Sequence, residues 1–217
     1  MEVAYLGLML SVMGALVYVS VFQLAAPSLR RMIVKGCAVS GLILFAVGFG
    51  APLMLIVALG LMFVTDLVLA SGAFRTKRLM IIGMITSIAG QGALMLLFAQ
   101  HWGGLENWFF GLVAILGFGL GILTMLWDEM KKMLFPVMIY ISSIAAMAYF
   151  SFGLMEPYRL AVYGSVLFIV HAIIHAFEQF HLAPTSPYVR VTAPVIYLLY
   201  YGALLIFALA FILPEAL

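Results

Sequence analysis

Charge is what this chain has least of. Only 8% of its 217 residues are Asp, Glu, Lys or Arg, against 67% hydrophobic, and the mean hydropathy is +1.26. A water-soluble domain needs roughly a quarter of its residues charged to cover its surface, so that class is excluded. Neither sign dominates: the net charge of +2 gives no reason to expect a nucleic-acid partner. Cysteine is nearly absent, and Cys37 alone excludes an internal disulfide framework and a cysteine zinc cluster. The first residues, Met1 and Glu2 before an apolar run, lack the basic start of a signal peptide, so Val3 onward reads as a retained span.

What is present in quantity is long apolar sequence. The expected class is an all-α polytopic membrane bundle forming one domain over residues 1–217. Eight transmembrane helices can be drawn, each near the ~20 apolar residues a bilayer core requires. They run roughly Val3–Leu24, Ile33–Gly50, Leu53–Ser71, Leu79–Ala99, Trp108–Trp127, Met133–Leu154, Leu160–Phe180 and Val191–Leu213. Arg30, Arg31, Lys35, Arg75, Lys77, Arg78, Lys131, Lys132 and Arg190 all fall at one end of this alternation, and only Arg159 at the other. The positive-inside rule then puts both termini outside the cytoplasm, with a bacterial inner (plasma) membrane as the expected location.

Gly117 and Gly121 form a GxxxG pair, with Gly119 beside them; this surface serves either close packing in the bundle or a homodimer. A faint internal repeat pairs Leu61–Ala70 with Val166–Ala176, aligning Asp66 with His171, and Gln91–Ala99 with Tyr201–Ala210, aligning Gln91 with Tyr201. Real duplication would give two parallel four-helix repeats with a site at their interface.

Ionisable groups at membrane depth are costly and therefore functional candidates. His171, His175 and Glu178 stand at i, i+4 and i+7 of the seventh span and share one helical stripe. Asp66 is the carboxylate set deepest in another span, and His171 is its expected partner. Lys35, Gln91, Tyr140, Tyr197, Tyr200 and Tyr201 add polar groups toward the basic end and middle depth. Together they predict a cavity opening at the basic end, lined by spans two, three, four, six, seven and eight. Plainer roles exist for each: a histidine bonded to a nearby carbonyl, tyrosines in a headgroup belt, and Lys35 extending to the headgroups from a helix end.

The chain resembles the lysoplasmalogenase-like membrane proteins, the YhhN family. Arg30–Leu44 (RRMIVKGCAVSGLIL) resembles the family's basic entry into span two, with Gly36 where a proline usually follows the lysine. Leu59–Ala70 (LGLMFVTDLVLA) resembles the span ending in Gly-Asp, with Thr65 in place of the glycine. Phe135–Tyr149 is similar to the proline-led sixth span, Tyr163–Phe180 to the Gly-x-x-x-Phe…Ser-Asp span, and Tyr197–Ala210 to the final span with its tyrosine pair. Two departures stand out. The family's second aspartate falls on Ala172 counted without gaps, or on His171 counted by the repeat, and Gln91 or Ala89 stands where a fourth-span histidine is common.

The resemblance implies a membrane hydrolase that cleaves the vinyl-ether bond of a lysolipid to a fatty aldehyde and a glycerophospho-alcohol, with no metal or other cofactor. Its substrate and partner would be a membrane lipid or lysolipid. Vinyl ethers are hydrolysed by protonation at carbon followed by water, which calls for a positioned acid that keeps its proton near neutral pH, as burial in low dielectric allows. Asp66 would be that acid; His171, or His175 with Glu178, would be the base. Lys35, Gln91, Tyr140, Tyr197, Tyr200 and Tyr201 would bind substrate, with the phosphate near Lys35 or Arg78. Two alternatives stay open: a zinc-dependent lipid hydrolase built on Asp66, His171 and His175, and a proton-coupled transporter or lipid-binding protein.

Overall fold

In a bilayer every backbone amide must be satisfied within its own segment, so apolar sequence of this length has to become helix. The computed structural model describes residues 2–72, 77–104, 134–183 and 185–216, and between them Gly111, Val113, Gly117 and Gly119–Gly121. Among the described residues seven helices are long and apolar enough to cross a membrane, and the architecture is an all-α bundle. They are α1 (Glu2–Val17), α2 (Leu29–Gly48), α3 (Leu53–Ala70), α4 (Lys77–Gln100), α5 (Leu134–Phe152), α6 (Leu160–His181) and α7 (Val189–Ala216). The expected span Trp108–Trp127 lies largely outside the described residues. α4 and α5 both finish at the same end, where Gly103 N–H donates to Gly153 O at 2.8 Å, so the chain enters α5 at the opposite, basic end.

Local chemistry sets several boundaries. The Ser28 side chain accepts from Arg31 N–H at 3.2 Å and caps α2. The least secure boundary in the sequence, between the second and third spans, is a tight reversal: Gly50 takes φ +69°, a conformation that favours glycine, and Pro52 leads into α3. α1 does not simply stop. It widens into a π-helical turn, Tyr18–Phe22, in which Gln23 N–H donates to Tyr18 O at 2.8 Å, five residues back.

The closest small-residue packing lies between α1 and α2 rather than around Gly117 and Gly121. A Cβ on Gly41 would stand 2.5 Å from both Gly7 O and Ser11 N, so glycine there is what lets the two backbones meet. A Cβ on Gly117 or Gly119 would meet nothing within 4 Å among the described residues.

Helices contact their chain neighbours, and α7 also reaches back to α2 and α3. It is the central element: 61% of its spanning window is buried, against 28% for α1, α5 and α6. At the end away from the basic loops it carries Phe207 and Phe211 into an aromatic cluster, Phe211 stacking on Phe98 and Tyr158 at ring distances of 5.8 and 5.0 Å. At the basic end its first turns instead present Ile196, Tyr197 and Tyr200 to a cavity.

Candidate active site

The cavity has a volume of about 480 Å³, within the roughly 300–1,000 Å³ typical of small-molecule pockets. Its mouth is formed by Gln23, Arg31, Gly72, Glu178 and Val189, all at the basic end, and its deeper wall by Tyr140, Phe168 and Tyr200. Asp66, His171, His175, Glu178, Lys35, Tyr140, Tyr197 and Tyr200 all line it. Gln91 and Tyr201 do not. Span four is missing from the lining, and the end of span one, through Tyr18, takes its place.

Asp66 is buried in the cavity wall, and its expected partner proves wrong. The residue that meets it is Lys35, with Nζ 2.9 Å from Oδ1 and side chains 11% and 1% exposed. Lys35 therefore does not extend to the headgroups. An isolated carboxylate or ammonium at this depth costs about 2.5–3.5 kcal/mol on insertion, and the two offset one another across α2 and α3. Three rings surround the ammonium, those of Tyr18, Tyr197 and Tyr200, with centroids 5.6, 5.8 and 5.9 Å from Nζ. Such contacts add about 0.5–2 kcal/mol each where water is excluded. The lysine is thus held in a cage of three phenol rings and one carboxylate.

His171 stands on the other wall, with α7 packed between its helix and the rest of the site. Its Nδ1 lies 2.9 Å from Ile196 O. A carbonyl can only accept, so Nδ1 carries the hydrogen and Nε2 is the acceptor of the neutral ring. The His175 ring lies parallel to it, 5.7 Å away, and Glu178 accepts a hydrogen bond from Thr192 across the α6–α7 seam. Phe168, His171, His175 and Glu178 follow one helical stripe, as their spacing predicts.

Four buried polar atoms at this cavity have no hydrogen-bond partner among the described residues: Asp66 Oδ2, the Tyr197 and Tyr200 hydroxyls and, at the mouth, Gln23 Oε1. The Tyr200 hydroxyl interacts with Asp66 electrostatically without closing a bond of normal geometry. Buried polar atoms are almost always paired, so four exceptions at one cavity mark the place where a polar ligand or water belongs. Tyr201 is the contrast: one position on, its hydroxyl is bonded to Ser11 Oγ at 2.8 Å, and Ser11 donates to Ala38 O at 2.5 Å. Gln91 is likewise satisfied one layer out, donating to Ser87 at 3.3 Å and accepting from Ser143. The two alignments of the faint repeat fall in matching layers, Asp66 and His171 at the cavity, Gln91 and Tyr201 behind it.

Sequence reasoning overlooked Tyr18, Gln23 and a role for Arg31. A signal for Arg31 existed, since it precedes Lys35 by four residues and so shares its helix face. None existed for Tyr18, whose direction is set by the π-helical turn. A metal site is not assembled: among the described residues no three His, Cys, Asp or Glu side chains converge as ligands, with Asp66 held by Lys35 instead.

No curated protein and no solved structure matches the chain. The profile of the YhhN family matches residues 30–211, a stretch that holds every cavity residue named above except Tyr18 and Gln23. This membrane bundle, with its caged lysine and buried aspartate, belongs to the YhhN family.

Proposed function

We propose that the protein is a lysoplasmalogenase-type hydrolase that cleaves the vinyl-ether bond of a lysolipid, with Asp66 as the acid. The observation that carries this reading is the division of labour within one buried carboxyl group. Oδ1 is tied to Lys35, while Oδ2 is unbonded at the cavity. The known activity of YhhN family members supports it.

In the first step Asp66, having taken up a proton from water on Oδ2 while Oδ1 keeps its contact with Lys35, gives that proton to the outer carbon of the vinyl ether. The C=C π pair takes that proton, and the carbon bound to oxygen becomes an oxocarbenium ion. Asp66 is left as a carboxylate, stabilised by the Lys35 ammonium already 2.9 Å away, so the charge develops where a partner is preorganised. In the second step water adds to the oxocarbenium carbon. Its proton returns to the Asp66 carboxylate, or passes to His171 Nε2. The resulting hemiacetal then breaks into a fatty aldehyde and a glycerophospho-alcohol, for a net consumption of one water. The Tyr197 and Tyr200 hydroxyls, which lack partners, hold the water and the ether oxygen. One carboxylate with a fixed cation serves in place of the family's two aspartates, since the residues at the second position here are His171 or Ala172.

The lysolipid enters from the lipid with its headgroup at the basic end, which the positive-inside rule assigns to the cytoplasm, both termini lying outside it. A bacterial inner membrane suits this arrangement. The test is to incubate the purified full-length protein with vinyl-ether, alkyl-ether and ester lysolipids and measure released aldehyde. Aldehyde is expected from the vinyl ether alone, and none from the Asp66→Asn variant. Full activity in that variant would remove Asp66 from the chemistry.

A further inference from the structure

The inner half of the cavity accounts for bond cleavage but leaves the mouth without a role. Arg31 lies there, partly buried at the cavity wall. Its side chain is fixed on three sides: Nε donates to the Tyr18 hydroxyl at 3.3 Å, Nη1 donates to Ala25 O at 2.9 Å, and the guanidinium carbon lies 5.9 Å from the Tyr18 ring centroid. Among the described residues no carboxylate pairs with it. Two of its five N–H groups are thus committed to neutral acceptors, while the charge and the remaining donors are uncompensated. Lys35 cannot do the same work, because its ammonium is engaged by Asp66. Arg78 is exposed and is not part of the lining.

Gln23 stands at the same mouth. Its Nε2 donates to Ala193 O at 2.9 Å, and because that carbonyl only accepts, the orientation of the amide is set. Oε1 is left buried without a partner among the described residues. An anion-ready fork in the first turn of α2 and an unpaired acceptor just after the π-helical turn therefore share one opening. A ligand matching both carries a phosphodiester and, near it, a hydroxyl donor.

We propose that Arg31 and Gln23 form the headgroup subsite of this cavity, Arg31 binding the phosphodiester of a lysophospholipid and Gln23 Oε1 accepting from its free glycerol hydroxyl. This rests on the hydrolase reading for the identity of the lipid, but the subsite is a binding statement with its own test. It makes the two residues specificity-determining. The phosphate selects lysophospholipids over neutral alkylglycerols, and the hydroxyl contact selects lysolipids over lipids acylated at that oxygen. Tyr18 acts through the other two groups, orienting Arg31 with its hydroxyl and covering Lys35 with its ring.

The experiment measures binding of non-hydrolysable ligands to the full-length protein in nanodiscs. The ligands are an alkyl-ether lysophospholipid, the same molecule lacking the glycerol hydroxyl, the corresponding 1-O-alkylglycerol, and inorganic phosphate as competitor. Wild-type protein is expected to bind the lysophospholipid about 10–100-fold more tightly than the alkylglycerol, the range for a charge-assisted hydrogen bond. Arg31→Gln should erase that difference, and Arg31→Lys, which keeps the charge without the fork, should restore part of it. Gln23→Leu should equalise the hydroxyl and deoxy ligands while leaving the phosphate preference in place. Equal affinity of the wild type for lysophospholipid and alkylglycerol overturns the proposal without recourse to any variant. Competition by inorganic phosphate at concentrations equal to the lipid's would assign the subsite to a free anion and overturn the lipid assignment. If binding follows the expected pattern while vinyl-ether lysolipid yields no aldehyde, the subsite stands and the hydrolase reading falls. If aldehyde is released and Arg31→Gln binds both ligands as wild type does, the reverse holds.

Discussion

The two ends of this bundle are built from the same helices and solve opposite problems. At the end away from the basic loops, Phe98, Phe207 and Phe211 are fully buried and ring meets ring, with Phe98 and Phe207 5.7 Å apart and His101 tilted against Tyr158 at 4.2 Å. His101 has its Nδ1 3.0 Å from Leu97 O, one turn back, so that imidazole is satisfied within its own helix. At the basic end the same α7 supplies two phenols whose hydroxyls have no hydrogen-bond partner of normal geometry among the described residues, facing a cavity with a caged lysine and a half-satisfied carboxylate. The closed end is ring packing, with one buried hydroxyl nearby, Ser165 Oγ, that has no partner among the described residues. The open end cannot be packing alone, because packing gives no reason to bury four unpaired polar atoms together. The contrast teaches that burial by itself does not mark a site in a membrane protein. Unmet hydrogen-bonding groups clustered at one cavity do.

That comparison can be broken in several places. The largest effect is expected from Lys35→Met, which strands Asp66 and should cost about 3–5 kcal/mol of stability, the usual penalty for breaking a buried pair. Adding Asp66→Leu should restore most of it while leaving no hydrolysis. Thermal unfolding in detergent measures both, and a Lys35→Met protein that melts with the wild type would show that the pair is not formed. At the closed end Phe211→Ala should cost about 3 kcal/mol through the cavity it leaves, with kcat/KM per folded molecule unchanged. A parallel loss of activity would mean that the two ends are coupled.

Tyr200→Phe reverses that pattern. It removes an unpaired buried hydroxyl, so the melting temperature should hold or rise, while vinyl-ether hydrolysis falls about tenfold, or about 1.4 kcal/mol of transition-state stabilisation. Steady-state kinetics on the same preparation used for melting separates the two readouts. The smallest effect belongs to Tyr201→Phe, which gives up the bond to Ser11 and should cost about 0.6 kcal/mol, the average for a hydrogen bond between transmembrane helices. A larger loss would place Tyr201 in a more connected network than its two-step link through Ser11 to Ala38 O.

Much of the architecture is legible in the residues. Long apolar runs separated by basic or Gly/Pro-containing turns give the helices, because lipid leaves the backbone no other way to satisfy itself. The stripe of His171, His175 and Glu178 follows from helical spacing, and the structure keeps it on one wall of one cavity. The pairing of Asp66 was misread. Sequence spacing carries no information about which neighbouring helix a side chain will meet, and Lys35 at a helix start reads as a headgroup anchor until α2 and α3 are packed together. Depth, the faint repeat and the resemblance group Gln91 and Tyr201 with the site. Depth fixes a level in the membrane but not a direction around the helix axis, and both side chains turn into seams between helices rather than into the cavity.

The sequence by itself therefore determined a membrane bundle of apolar helices, its basic end, and the few ionisable groups able to do chemistry in it, because composition and period are properties of each segment alone. Only the tertiary structure decided that Lys35 is the partner of Asp66 and that Tyr18 bridges Lys35 to Arg31. The same is true of the oxygens left without partners. Those are relations between segments, set by how glycine-lined faces and a π-helical turn bring helices within reach of one another, and no segment encodes them singly.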